Sequence, residues 1–339
     1  MTLFKKPTYT RNPEGKPRKV GFEFELAGIE PQACAELVAD LFDGTIQAKH
    51  SLEIEIAGTP MGTFKVELDA KMLKDIAKKL EKEQPEAKNK LLDTNSISTY
   101  ISKWVGELAG QVVPLEIVTP PLICEQFQQL ETLRKELCKK KATGTKAAFT
   151  NAFGMHINPE ITSKKVEHIH DIMRAFLVLY PWLKEVMEID LSRQLLTYID
   201  PFPNEYVTLV LAENYAPSLD GFIDDYLEHN PTRNRVLDML PLFAYLKPDS
   251  LDGLKEEDRK LVKARPTFHY RLPNCEIDNP DWSIARDWNY WVEIEKLAED
   301  KQKLANMASA YLTFLDKPFH AFSNNWVEQI TSEFGYETQ

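Results

Sequence analysis

Residues 19–29 read KVGFEFELAGI, and the alternation inside them decides how the rest of the chain is read. Phe22, Phe24 and Leu26 fall on one side and Glu23 and Glu25 on the other, the period-two pattern of a strand with one buried face. Downstream, Pro31 opens a helix, PQACAELVADLFDG, whose stripe of Ala33, Leu37, Val38 and Leu41 ends at Gly44. Residues 51–70, SLEIEIAGTPMGTFKVELDA, are two alternating runs around a Gly- and Pro-containing loop and predict a β-hairpin. A charged helical stretch broken at Pro85 and a second helix, SISTYISKWVGELAG, follow. QVVPLEIVTPP reads as a strand, CEQFQQLETLRKELCKKK as a helix and AAFTNAFGMHINPE as a strand again. The apolar spacing predicts helices over 163–187 and 219–246, joined through DPFPNEY; ARPTFHYRLPN alternates once more before one long helix over 284–315.

Strands arriving singly or as a hairpin, without a regular βαβ rhythm, predict an α+β protein with a mostly antiparallel sheet flanked by helices. Residues 1–18, rich in Lys, Arg and Pro, read as a flexible lead-in. Residues 19–339 read as a single catalytic domain with a helical insertion around 70–110 and a helical middle around 160–246. Only 13 glycines are present and neither GxGxxG nor GxxxxGK[ST] occurs, which removes the Rossmann and P-loop nucleotide sites.

Composition narrows the function classes. The 339 residues are 43% hydrophobic and 27% charged, which is globular and not disordered. Forty-one basic against 52 acidic side chains leave a net charge of −11, a poor basis for gathering phosphates along a nucleic acid. Cys34, Cys124, Cys138 and Cys275 lie far apart with no CxxC spacing, so neither a thiolate zinc site nor a redox pair is expected. The basic first residues lack the apolar core of a secretory signal, and no stretch approaches the roughly 20 apolar residues of a spanning helix. A cytoplasmic protein with no nucleic-acid or membrane partner is expected; oligomeric state is not legible.

The polar sides of the strands carry the chemistry. Glu23 and Glu25 project the same way, roughly 7 Å apart at a rise of about 3.3–3.4 Å per residue, and can each hold one of two neighbouring cations or simply be solvated. Glu116 stands alone among Val112, Val113, Leu115, Ile117 and Val118, where a buried carboxylate costs several kcal/mol unless paired or metal-bound. In GMHIN, His156 and Asn158 share the side opposite Met155 and Ile157; in FHYRL, His269 and Arg271 share the side opposite Tyr270. If these strands form one sheet, Glu23, Glu25, Asp69, Glu116, His156, His269 and Arg271 line one cleft. Carboxylates with imidazole suit Mg²⁺ or Mn²⁺, and divalent cations beside arginine are what phosphoryl transfer requires.

The succession GFEFEL, VELDAK, PLEIVTPPL, FGMHIN and an Arg-containing strand before a long helix resembles the putative amidoligase family, one of the glutamine synthetase-like carboxylate–amine ligases. The resemblance runs from about Val20 to about residue 300, and EIVTPPL and GxHxN are its most specific pieces. It implies an ATP-dependent ligase on a glutamine synthetase-like antiparallel sheet, with two or three Mg²⁺ ions (Mn²⁺ as the alternative) bridging the nucleotide phosphates. It further implies a small-molecule or peptide carboxylate and an amine as substrates, joined through an acyl phosphate. By the match of motifs, Glu23 and Glu25 would be ligands of neighbouring ions, Glu116 would join the ion of Glu25, and Asp69 would lie near it. His156 would be a ligand close to ATP with Asn158 beside it, and Arg271 would contact a phosphate. Glu23, Glu116 and Arg271 thereby become the expected catalytic residues.

Two departures from the family pattern stand out. His269 occupies the place of a glutamate, so one cation site would use imidazole or be weakened, and the Asp-x-Ser of the second motif is Asp69, Ala70, Lys71. Arg193 and Arg265 are open between phosphate contacts and surface ion pairs. Two rival readings use the same residues: a non-catalytic ATP-binding homologue, and a metal-dependent hydrolase of amides or phosphoesters. ATP binding without turnover would mark the first and cleavage without ATP the second.

Overall fold

In a computed structural model, the described residues are 3–50, 53–68, 115–145, 153–189, 199–317 and 325–336. Eight strands form one sheet in the order β2-β3-β4-β5-β1-β6-β8-β7. They are β1 (Val20–Leu26), β2 (Thr45–His50), β3 (Glu53–Thr59), β4 (Gly62–Leu68), β5 (Leu115–Val118), β6 (Met155–Pro159), β7 (Leu237–Asp238) and β8 (His269–Tyr270). Every ladder between them is antiparallel. The α+β, mostly antiparallel architecture read from the sequence is what the chain adopts.

The alternation in β1 places it near the middle of this sheet. Phe24 pairs with Ile117 of β5 and Met155 of β6, and Phe22 with Ile157, which in turn pairs with Tyr270 of β8. All of these side chains are buried, so one face of the sheet is apolar from β3 to β7. Helices cover that face. Phe42, at the end of α1 (Pro31–Phe42), stacks on Phe64 of β4 at 5.0 Å. Phe22 packs edge-on against Phe127 at 5.1 Å, just ahead of α2 (Gln128–Lys139). Tyr270 lies between Phe176 of α3 (Val166–Val186), at 6.0 Å, and Trp291, at 5.3 Å. The opposite face is left to the polar residues.

The described helices continue with α4 (Asn204–Leu211), α5 (Leu219–His229), α6 (Leu240–Leu246), α7 (Glu256–Arg259), α8 (Ile284–Glu299), α9 (Lys301–Leu315) and α10 (Asn325–Phe334). None of the described helices is long and apolar enough to cross a membrane.

Four local readings are corrected. β2, TIQAKH, is an outer strand whose sparse apolar residues hid it between the helix and the hairpin. The helix expected over 219–246 is two, because Pro231 turns Asn230 out of the helical region; β7 is inserted between them. The helix expected over 284–315 breaks at Asp300, which leaves helical geometry and accepts the Lys303 amide at 3.0 Å, capping α9. The strand expected over 264–274 shrinks to β8 between Pro266 and Pro273, neither of which can donate to a ladder. The helical insertion around 70–110 lies outside the described residues.

Residues 3–18, expected as a lead-in, are tied to α8. Trp288 Nε1 donates to the Lys5 carbonyl at 2.8 Å, the Lys5 amide donates to Asn289 Oδ1 at 2.7 Å, and Arg18 forms a buried ion pair with Glu295 at 2.5 Å.

Candidate active site

The polar face is assembled by register alone. Glu25 of β1 sits opposite Glu116 of β5, Glu116 opposite Glu67 of β4, and Glu67 opposite Glu53 of β3. Like charges directly opposite one another destabilise a sheet, so this row of carboxylates calls for cations. Lys65 supplies one at the outer end, with Nζ 2.6 Å from Glu53 and 3.5 Å from Glu55. One step along β1, Glu23 sits opposite His156 of β6, and on the far side His269 of β8 sits opposite Asp238 of β7.

Glu23 is the hub of the cluster. Its Oε2 accepts from His156 Nδ1 at 2.9 Å and faces His269 Nε2 at 3.8 Å; its Oε1 accepts from Asn158 Nδ2 at 3.0 Å and Arg265 Nη1 at 3.1 Å. With Nδ1–H committed to Glu23, His156 turns Nε2 toward Glu25 Oε1 at 3.5 Å; Glu116 Oε1 lies 4.0 Å from its Nδ1. Glu25 also accepts the Gly154 amide at 2.6 Å, which fixes its carboxylate against the start of β6. Burial alone would raise the Glu23 carboxyl, but the His156 hydrogen bond and the Arg265 charge outweigh it and hold Glu23 well below the usual carboxylate range. Burial pushes His269 down to about 3 despite its bond to Asp238, so its ring is neutral at neutral pH. Glu67 moves the other way, raised by burial, with Lys263 opposing and Glu53 reinforcing.

Of the expected site residues, the structure brings together Glu23, Glu25, Glu116, His156, Asn158, His269 and Arg265. Arg265 does make an ion pair, as one of its two readings had it, but with the hub of the cluster rather than at the surface. Arg271 follows β8, and its Nη1 donates to the Arg233 carbonyl at 2.5 Å. Asp69 and Arg193 lie outside the described residues.

Three neighbours were missed. Glu67 belongs to the same alternating run as Asp69 and was overlooked for it. Asp238 is fully buried in VLDML, the same signal of a lone carboxylate in an apolar run that singled out Glu116. Arg233, in PTRNRV, gave no pattern; its guanidinium is pushed down by burial, with Asp238 opposing and Arg271 and Arg265 adding repulsion. Arg233, Arg265 and Arg271 thus lie close enough at the edge of the cluster for Arg233 to feel the charge of the other two.

The cluster fits divalent cations by the chemistry of its donors. Glu23, His156 and His269 can bring one ligand atom each within 4.8 Å of one another, and so can Glu25, Glu116 and His156. Two buried atoms in this region, Asn158 Oδ1 and His269 Nε2, make no hydrogen bond. Buried polar atoms are rarely left so, and both can serve as electron-pair donors.

The family model described as "Putative amidoligase enzyme" matches residues 16–293, most of the chain. The chain belongs to that family. The family places the chain among amide-bond-forming ligases, and the matched span includes β1 to β8 and every described residue of the cluster. Neither a curated protein nor a solved structure matches the chain.

Proposed function

We propose that this protein is an ATP-dependent carboxylate–amine ligase working through an acyl phosphate. A substrate carboxylate oxygen attacks the γ-phosphorus of ATP and ADP leaves; an amine nitrogen then attacks the acyl carbon, releasing phosphate and a proton and leaving an amide. The observation that carries this reading is Glu23, whose carboxylate binds imidazole on one oxygen and Arg265 on the other. The face therefore passes within one side chain from carboxylates suited to cations to guanidinium groups suited to phosphate, the two elements phosphoryl transfer needs side by side.

Glu25, Glu116 and His156 would hold Mg²⁺ or Mn²⁺, and Glu23 with His269 a second divalent cation, whose charges would neutralise the phosphate oxygens when bound. Arg265 and Arg271, with Arg233, would receive the phosphoryl oxygens, guanidinium being the side chain that pairs with them most directionally. Asn158 orients Glu23. The acidic row Glu53, Glu67 and Glu116 draws a cationic amine toward the same face. A carboxylate of a small molecule or peptide is the expected acyl donor, and the glutamine synthetase-like type of sheet is the expected scaffold.

The test is ADP release from ATP in the presence of pooled carboxylates and amines, with the amide detected by mass spectrometry. Release that needs both an acid and an amine, and that is lost in Glu23→Ala and Glu116→Ala while the circular dichroism is kept, supports the ligase. Cleavage of amides or phosphoesters without ATP would replace it with a hydrolase. ATP binding without turnover across the pools would replace it with a non-catalytic module.

A further inference from the structure

Asp238 is fully buried, a costly place for a carboxylate, and no step of the proposed reaction uses it. It sits opposite His269 across the β7–β8 ladder. One oxygen accepts the Leu240 amide at 3.0 Å and the other accepts from His269 Nδ1 at 3.4 Å. Placing the ring hydrogen on Nδ1 leaves the electron pair on Nε2, and Nε2 points at Glu23 Oε2 across 3.8 Å. Two electron-rich atoms therefore face each other in a buried space, and His269 Nε2 makes no hydrogen bond. Asn158, only 3% exposed, stands beside them: its Nδ2 is bound to the other oxygen of Glu23, and its Oδ1 is equally without a partner. Arg265 does not fill the gap, since it reaches the other oxygen of Glu23.

Donor atoms sharing one ion at about 2.0–2.2 Å stand no more than about 4.4 Å apart, and the Glu23–His269 separation of 3.8 Å lies inside that limit. A carboxylate behind an imidazole is the arrangement that fixes ring orientation and strengthens the ring as a ligand. Imidazole nitrogen suits first-row transition ions, whereas Mg²⁺ demands oxygen and dehydrates reluctantly.

We propose that Glu23 and His269, with Asn158 beside them, form a site selective for a first-row transition cation such as Co²⁺, Mn²⁺ or Zn²⁺ over Mg²⁺, and that Asp238 is the positioning residue that makes His269 a ligand. The site is separate from the group of Glu25, Glu116 and His156, in which carboxylates outnumber imidazole. The inference rests on the ligase reading only in placing cations at this cluster, and it is tested without nucleotide.

Full-length protein freed of metal with a chelator is titrated with Co²⁺ and followed by its visible absorption, with Mn²⁺ and Mg²⁺ as competitors. The expected result is one Co²⁺ per chain with a nitrogen-containing ligand field, displaced by Mn²⁺ only when Mn²⁺ is in excess and resistant to about a hundredfold excess of Mg²⁺. Asp238→Asn weakens Co²⁺ by about 10–100-fold and alters the spectrum. His269→Glu abolishes the preference for Co²⁺ over Mg²⁺, and this second variant decides the matter should Asp238→Asn not fold. Equal Co²⁺ affinity in wild type and Asp238→Asn, displacement by equimolar Mg²⁺, or no Co²⁺ bound overturns the proposal. Turnover of acid and amine with Mg²⁺ alone in His269→Glu would keep the ligase reading whatever the titration gives. Selective Co²⁺ binding without any turnover would keep the site and lose the ligase.

Discussion

Replacing Glu23 by glutamine removes one charge and little volume, so its effect reads out the hub directly. In the metal-free protein the carboxylate accepts from His156, Asn158 and Arg265, at 2.9, 3.0 and 3.1 Å. A buried hydrogen bond to a charged group contributes about 1.5–3 kcal/mol, and glutamine can still accept on one atom, so two of the three bonds are weakened rather than all lost. The Arg265 side chain is 33% exposed, which screens its share, and neutralising Glu23 also relieves repulsion from Glu25. The net expectation for Glu23→Gln is a loss of about 2–3 kcal/mol at pH 7, or about 3–4 °C in Tm for a chain this long. The sign with pH follows from the depressed carboxyl of Glu23. Its stabilisation is fully present above the ordinary unfolded value near 4.5 and is lost only as pH falls through the lower folded value. Urea unfolding of wild type and variant at pH 7, 6, 5 and 4 checks this. The gap should be constant from pH 7 to 5 and narrow below. A variant as stable as wild type at pH 7 would show that carboxylate repulsion, not the donor set, governs Glu23.

Three further outcomes are expected. Arg18→Met leaves Glu295 buried with, among the described residues, the Trp291 indole on its oxygen and should cost about 3–5 kcal/mol, whereas Arg18→Met with Glu295→Leu should recover most of it; denaturant midpoints of the single and double variants decide. His168, His170 and His269 are all pushed down by burial, His269 to about 3, so the unfolded chain binds their protons first. Stability should fall as pH drops below about 6.5, by up to about 1.4 kcal/mol per pH unit for His269, and a flat profile from pH 6.5 to 5 would contradict the neutral ring. Arg265→Gln frees Glu23 Oε1 from its competing cation, so Mn²⁺ binding without nucleotide should tighten about fivefold by calorimetry while the proposed ATP-dependent turnover falls.

How much of this was legible in the sequence depends on whether a signal was local. The alternation of 20–26 gave the strand, its buried face and the two glutamates together, because a period of two is visible within one window. The lone carboxylate in LEIV gave Glu116, and the same rule would have given Asp238 had it been applied to VLDML. The partners of these residues were not legible. That Glu25 faces Glu116, or that His269 faces Asp238, is a matter of register between strands up to about 90 positions apart, and no local pattern records it. Breaks were lost for a related reason: the apolar period of α8 and α9 runs on through Asp300, and only the cap geometry shows that the backbone turns there.

The same coupling explains why the cluster sits on β1 rather than on a loop. Phe22 and Phe24 are locked by Phe127, Trp288, Ile117 and Met155, so β1 cannot slip by one residue without exposing two phenylalanines and burying two glutamates. The packed face therefore fixes the height and direction of Glu23 and Glu25 more tightly than their own hydrogen bonds do. A further consequence concerns His269 and Asp238. Their strands are two residues long and carry little ladder of their own, so their alignment leans on Tyr270, which pairs with Ile157 and Leu237 and packs on Trp291. Weakening that aromatic contact should loosen the imidazole half of the cluster before the carboxylate half, because β1 and β5 hold Glu25 and Glu116 through four paired residues, whereas β6 and β8 share one.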